Sequence, residues 1–275
     1  MQESQQTLLP SYLRIFSLEG KTVLFTGATG GIGRSLVSAF ASAGADVISL
    51  QLPSDPPIVK GIVESFGRRC TLVSCDLLNL GTIPKAIEEA RIQGKSSRHP
   101  HQLRGYLHSR AYGILPITSM EDIFKVNVTA GVMIASECVK RWFLQPFDKR
   151  GVKKIINFAS IASFQGNVET LAYSASKAAV VNMTKAMSNE WAPHGILVNS
   201  VCPGYTKSAI TKHLYEDDAY NKRILPGIPC RRWADGDDLA GTLIYLVSSA
   251  SNYVTGTCAI MDGGALGLPG LGAHL

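Results

Sequence analysis

Thr22-Val23-Leu24-Phe25-Thr26-Gly27-Ala28-Thr29-Gly30-Gly31-Ile32-Gly33 decides the fold. Thr22–Thr26 reads as a strand and Ile32–Ala43 as a helix. Between them, glycines at 27, 31 and 33 permit a tight turn and close approach of backbone to a pyrophosphate. The helix offers unpaired N–H groups and the positive end of its dipole to the same group. A glycine-rich turn alone is weak evidence, but this one lies between an early strand and a helix, which makes it strong.

Outward from that turn the pattern repeats. Ala45–Leu50 reads as a strand, and Asp55-Pro56-Pro57 breaks the chain after it. Ile58–Phe66 is helical, Cys70–Cys75 a strand and Thr82–Arg91 a helix. Met120–Val139 carries one long helical pattern. Lys154–Ala159 reads as a strand, Tyr173–Ala192 as a helix and Leu197–Val201 as a strand. Asp237–Ser248 is a helix and Thr257–Met261 the last strand. This alternation predicts an α/β chain: a single Rossmann-type domain, a doubly wound parallel sheet with helices on both faces. Residues 1–15 are an N-terminal extension, and the domain runs from 16 to 275. There is no internal repeat and no linker.

With 275 residues, 45% hydrophobic and 17% charged, the chain is globular and long enough to bury a core. Its formal charge is +6, but no Lys/Arg-rich helix or dense basic tract accompanies it, so a nucleic-acid partner is not expected. Cys70, Cys75, Cys138, Cys202, Cys230 and Cys258 form no metal-ligand spacing and read as buried free thiols of a reducing compartment. The first sixteen residues do not read as a signal peptide, and no apolar run reaches about 18 residues, so no membrane partner is expected. A cytoplasmic location follows. Ala273-His274-Leu275 loosely matches a peroxisomal terminus, which leaves that address open.

Tyr173 and Lys177 lie four apart near the start of a helix, so they share a face. Ser160 follows the strand Lys154–Ala159, where α/β sheets hold their ligands. Asn127 lies on the preceding helix. Hydride transfer to a carbonyl leaves an alkoxide that needs a proton, and oxidation needs the reverse. A phenol serves both if its pKa falls from about 10 toward neutrality, which takes roughly 4 kcal/mol. A nearby ammonium supplies that sign of shift. A serine hydroxyl holds the substrate oxygen while charge develops.

These residues together resemble the short-chain dehydrogenase/reductase family, from Phe16 to Gly267. Thr26–Gly33 is similar to its TGxxxGxG turn, with Gly27, Gly31, Ile32 and Gly33 on the cofactor. The resemblance implies that Ser160, Tyr173 and Lys177 are catalytic and that Asn127 holds a relay water. It implies that Asp76-Leu77 flanks adenine, that Pro203-Gly204, Thr206 and Ser208 cap nicotinamide, and that Tyr173 and Lys177 also touch the cofactor. Tyr253–Gly256 and Asp262–Gly264 are similar to the family's C-terminal signature. The cofactor is NADP or NAD. Gln51 at the end of the second strand is neither acid nor base, so the preference stays open, with Asp55 and Arg34 nearby. The expected partner is a carbonyl or alcohol substrate, and the expected assembly a homodimer or homotetramer. Phe164-Gln165-Gly166 and Arg232-Trp233 resemble the 2-deoxygluconate dehydrogenase branch, which implies a sugar acid; similar runs occur in reductases of specialised metabolism. A mobile segment around Tyr205–Arg232 would cover the substrate, and its Lys207, Lys212, His213 and Arg223 either meet an acidic substrate or are solvated.

Arg91–Arg110 departs from the pattern. It holds five Arg/Lys and three His, with no acid, where a buried parallel strand should be rich in Val, Ile and Leu. Ser109–Gly113 stands where the family has Asn-Asn-Ala-Gly. Either an insertion loops out and Leu103–His108 forms a poor strand, or the stretch comes from a misread exon boundary or frameshift. The alternative function is then a cofactor-binding protein with impaired or no catalysis.

Overall fold

The computed structural model describes residues 12–93, 100–104, 117–146, 151–166, 170–209 and 211–267. The first half runs β1 (Thr22–Thr26), α1 (Gly31–Ser42), β2 (Asp46–Gln51), α2 (Ile58–Glu64), β3 (Cys70–Ser74), α3 (Ile83–Gln93) and β4 (Pro100–Arg104). Then come α4 (Ile117–Phe124), α5 (Ala130–Phe143), β5 (Lys153–Phe158), α6 (Leu171–Trp191) and β6 (Ile196–Pro203). The chain closes with α7 (Lys212–Tyr215), α8 (Asp218–Ile224), α9 (Gly236–Val247) and β7 (Cys258–Met261). The strands form one parallel sheet in the order β3-β2-β1-β4-β5-β6-β7. This is a doubly wound parallel sheet of Rossmann type, the architecture expected from the sequence.

β1 is buried on both faces, and its side chains alternate between two cores. Val23 and Phe25 of β1 pack with Leu36, Phe40, Leu239 and Leu243, so α1 and α9 cover that face. Leu24 packs on the other side with Ile83, Ile134 and Met187 from α3, α5 and α6.

The described part of the central strand is Pro100–Arg104, which overlaps the expected Leu103–His108 at Leu103 and Arg104, while residues 105–108 lie outside the described residues. The strand pairs along β1 from Thr22↔Pro100 to Thr26↔Arg104, and along β5 from Gln102↔Ile155 to Arg104↔Asn157. Backbone pairing with β1 and β5 holds this segment in the sheet although its residues are not an apolar run. Ser109–Gly113, Tyr106–His108 and Ala273–Leu275 lie outside the described residues.

The helical pattern Met120–Val139 is also broken: Lys125–Thr129 forms a π-helical turn between α4 and α5. Such single turns are frequent at functional sites. At the opposite end of the sheet, β5 opens on two buried lysines, Lys153 and Lys154. Lys154 Nζ donates to the carbonyl and hydroxyl oxygens of Ser251 at 2.8 and 3.0 Å. Burial holds its ammonium down at about 8. Lys153 Nζ stands 6.0 Å over the Trp142 ring.

The segment Tyr205–Arg232 is folded into α7 and α8. Its ends are joined by the bridge Thr206↔Ala234. Tyr205, Tyr215 and Tyr220 surround buried Trp233, whose Nε1 donates to Asn221 Oδ1 at 2.8 Å. Of Lys207, Lys212, His213 and Arg223, three are engaged within the protein: Lys207 with Asp235, Lys212 with Glu216, and Arg223 over the Tyr220 ring. Of the cysteines, all free, Cys230 is exposed and Cys70 and Cys258 only half-buried, because they lie outside the fully covered strand centres. Among the described residues no helix is long and apolar enough to cross a membrane.

Candidate active site

The site lies at the carboxyl ends of the parallel strands, where turns leave polar groups pointing out of the sheet. Ser160 follows β5 in extended backbone and caps the short turn Ile161–Ser163: its Oγ accepts from Ala162 N at 3.2 Å. Tyr173 and Lys177 lie in the first two turns of α6. The Tyr173 hydroxyl oxygen is sealed from water and has no hydrogen-bond partner among the described residues. Ser160 stands beside it and favours the phenolate. Lys177, also buried, puts its Nζ 5.6 Å from the centre of the Tyr173 ring and donates to the Phe158 carbonyl at 2.8 Å.

Asn127 sits in the π-turn and is buried. Its Nδ2 donates to Ser176 Oγ at 3.0 Å, and Ser176 Oγ donates to the Tyr173 carbonyl at 2.7 Å. The four residues anticipated from the sequence are therefore brought together. Ser176 was not anticipated. The available signal was its place between Tyr173 and Lys177, on a helix face that must be buried.

Burial pushes the Tyr173 phenol up to about 12, and the Ser160 hydroxyl offsets part of that.

The turn after β1 fits a dinucleotide. Gly27 adopts φ +75°, in the left-handed region. A Cβ on Gly33 would stand 2.1 Å from the Gly27 carbonyl oxygen, so only glycine lets α1 start this close to the strand. A Cβ on Gly31 would meet Ser208 Cα at 3.6 Å, which brings the Pro203–Ser208 stretch beside the turn. Ile32 is half-buried in α1. Thr206 Oγ1 donates to the Gly204 carbonyl at 3.1 Å, and Ser208 is tied to Thr211. Asp76 and Leu77 lie at the exit of edge strand β3, where Asp76 Oδ1 accepts from Leu78 N at 2.9 Å.

At the end of β2, Gln51 folds inward, accepting from Ser49 Oγ at 3.1 Å. Asp55 Oδ2 accepts from Thr29 Oγ1 and Leu52 N, both at 3.2 Å. Arg34 Nε donates to the Thr29 carbonyl at 2.8 Å. A carboxylate and a guanidinium thus both converge on Thr29.

A family model described as enoyl-(acyl carrier protein) reductase matches residues 27–265. The chain is 39% identical over 254 residues to 2-dehydro-3-deoxy-D-gluconate 5-dehydrogenase of Bacillus subtilis (strain 168), covering 91% of this chain and 96% of the relative. It resembles the crystal structure of a short-chain type dehydrogenase/reductase from Mycobacterium marinum, with TM-score 0.83, 31% identity and coverage of 93% and 99%. It also resembles a gluconate 5-dehydrogenase from Burkholderia cenocepacia J2315 in complex with NADP and tartrate, with TM-score 0.86, 26% identity and coverage of 94% and 100%.

Proposed function

The chain belongs to the short-chain dehydrogenase/reductase family, and we propose that it interconverts a secondary alcohol and a ketone by NAD(P)-dependent hydride transfer, with a sugar acid as substrate. The observation that carries the reading is the Tyr173 hydroxyl, buried and unpaired among the described residues, with Ser160 beside it and Lys177 behind its ring. In this reading Tyr173 Oη takes the alcohol proton in oxidation and returns it in reduction. Ser160 Oγ holds the substrate oxygen. Lys177 favours the phenolate and anchors the ribose, and Asn127 holds the relay water. Bound nicotinamide supplies the hydride and, when oxidised, a positive charge that opposes the effect of burial on the phenol.

The cofactor rests on Gly27, Gly31, Ile32 and Gly33, with Asp76 and Leu77 at adenine and Pro203, Gly204, Thr206 and Ser208 at nicotinamide. The sugar-acid class is supported by what the relatives are called. The domain runs from residue 16 onward in a cytoplasmic homodimer or homotetramer.

The test is titration of the purified chain with NADH and NADPH by nicotinamide fluorescence, followed by turnover with hexonates and keto-hexonates. Saturable binding of either nucleotide and turnover of an acidic sugar support the reading. A folded chain that binds neither overturns it. Binding without turnover would favour a cofactor-binding protein without catalysis.

A further inference from the structure

We propose that Asp55 makes this chain prefer NAD(H) over NADP(H), by fixing a carboxylate beside the place of the extra phosphate; this rests on the dehydrogenase reading above. The two nucleotides differ only at the adenosine ribose, which carries a 2′-hydroxyl in one and a 2′-phosphate in the other. In a doubly wound sheet that ribose lies at the end of the second strand, next to the glycine turn. Here that corner is made by Thr29 of the turn, Arg34 of α1, and Gln51 and Asp55 at the exit of β2.

Gln51 is already engaged at both ends of its amide. Its Oε1 accepts from Ser49 Oγ at 3.1 Å, and its Nε2 donates to the Asp55 carbonyl at 3.4 Å. The chain then turns back on itself: Asp55 N donates to the Leu52 carbonyl at 3.0 Å. That turn returns the Asp55 side chain to the corner. Its Oδ2 accepts from Leu52 N and from Thr29 Oγ1, both at 3.2 Å, so one carboxylate is pinned to the exit of β2 and to the glycine turn at once. A carboxylate only accepts, which suits ribose hydroxyls. It repels a phosphate, which carries about −1.5 to −2 charges. Arg34 has the opposite sign, but a single bond holds it, from its Nε to the Thr29 carbonyl at 2.8 Å. Its side chain is exposed, where water and salt screen it, whereas Asp55 is half-buried. Asp55 therefore outweighs Arg34 at this corner.

The experiment titrates wild type, Asp55→Asn and Arg34→Gln with NADH and with NADPH by nicotinamide fluorescence, and records the thermal midpoint of each nucleotide-free protein. Wild type is expected to bind NADH at least about tenfold more tightly than NADPH. Asp55→Asn keeps an acceptor oxygen for Leu52 and Thr29 and loses only the charge. Its affinity for NADPH should rise about tenfold, with that for NADH within about threefold of wild type. Arg34→Gln should weaken NADPH further and leave the preference for NADH in place. A wild type that prefers NADPH, or an Asp55→Asn variant whose affinity for NADPH does not rise, overturns the proposal. Should Asp55→Asn not fold, Asp55→Ser decides by the same criteria. A folded wild type that binds neither nucleotide overturns the dehydrogenase reading itself, and this inference with it.

Discussion

Lys177 Nζ donates to the Phe158 carbonyl oxygen at 2.8 Å while lying 5.6 Å from the centre of the Tyr173 ring. The last carbonyl of β5 thus holds the ammonium in place, and the phenol is left to desolvation.

Tyr173→Phe is therefore expected to keep nucleotide binding and lose turnover by about 10² to 10⁴-fold. It should also change alkaline stability. The phenol sits near 10 in the unfolded chain and about 12 in the fold, so the native state retains its proton longer. Stability from this group is complete below pH 10 and falls as pH rises through 12. Urea unfolding at pH 9 and 11 checks the sign: the wild type should weaken more than the variant.

Lys154 gives the opposite slope. Burial lowers its ammonium from 10.5 to about 8, so between those values the unfolded chain binds more protons. The cost of the buried charge is full below pH 8 and fades as pH rises to 10.5. Relative to Lys154→Met, wild type should gain stability across that window. A flat difference in unfolding free energy between pH 7.5 and 10 would disprove this.

Gly33→Ala and Gly31→Ala should separate cleanly. The first puts a methyl 2.1 Å from one carbonyl oxygen and 2.9 Å from the Ala28 backbone, whereas the second meets nothing closer than 3.6 Å. We expect a loss of about 1–3 kcal/mol and of nucleotide affinity in Gly33→Ala. Gly31→Ala should unfold at the wild-type midpoint. Thermal melts of the nucleotide-free variants check both.

Arg231 is the one non-glycine with positive φ among the described residues, at 55°. Its guanidinium donates to the Pro226 carbonyl at 3.0 Å in an exposed setting, which offsets little of the strain. Arg231→Gly should stabilise by about 1 kcal/mol and raise the thermal midpoint by about 2–4 °C. A lower midpoint would show that the side-chain bond outweighs the strain.

Much of this was legible in the sequence. Thr22–Thr26 matches its strand end to end, because a strand buried on both faces is written as an apolar run. Ser160, Tyr173, Lys177 and Asn127 could be picked out because spacing on one helix and position after a strand are local properties. What failed depends on partners distant in sequence. Pro100–Arg104 is a strand because β1 and β5 pair with it, which its own residues do not announce. Lys153 and Lys154 are charged residues at a strand start, yet both are buried, with Trp142 against the first and Ser251 against the second. The π-turn leaves the apolar period of Met120–Val139 nearly intact, so periodicity cannot reveal it.

β3-β2-β1 and β5-β6-β7 are two panels that meet at β4, and they are also held together by α1 against α9 and α3 against α5. A dinucleotide reaching from the turn after β1 to the end of β6 would fasten both panels at once, so its binding would act as a clasp as well as a supply of hydride.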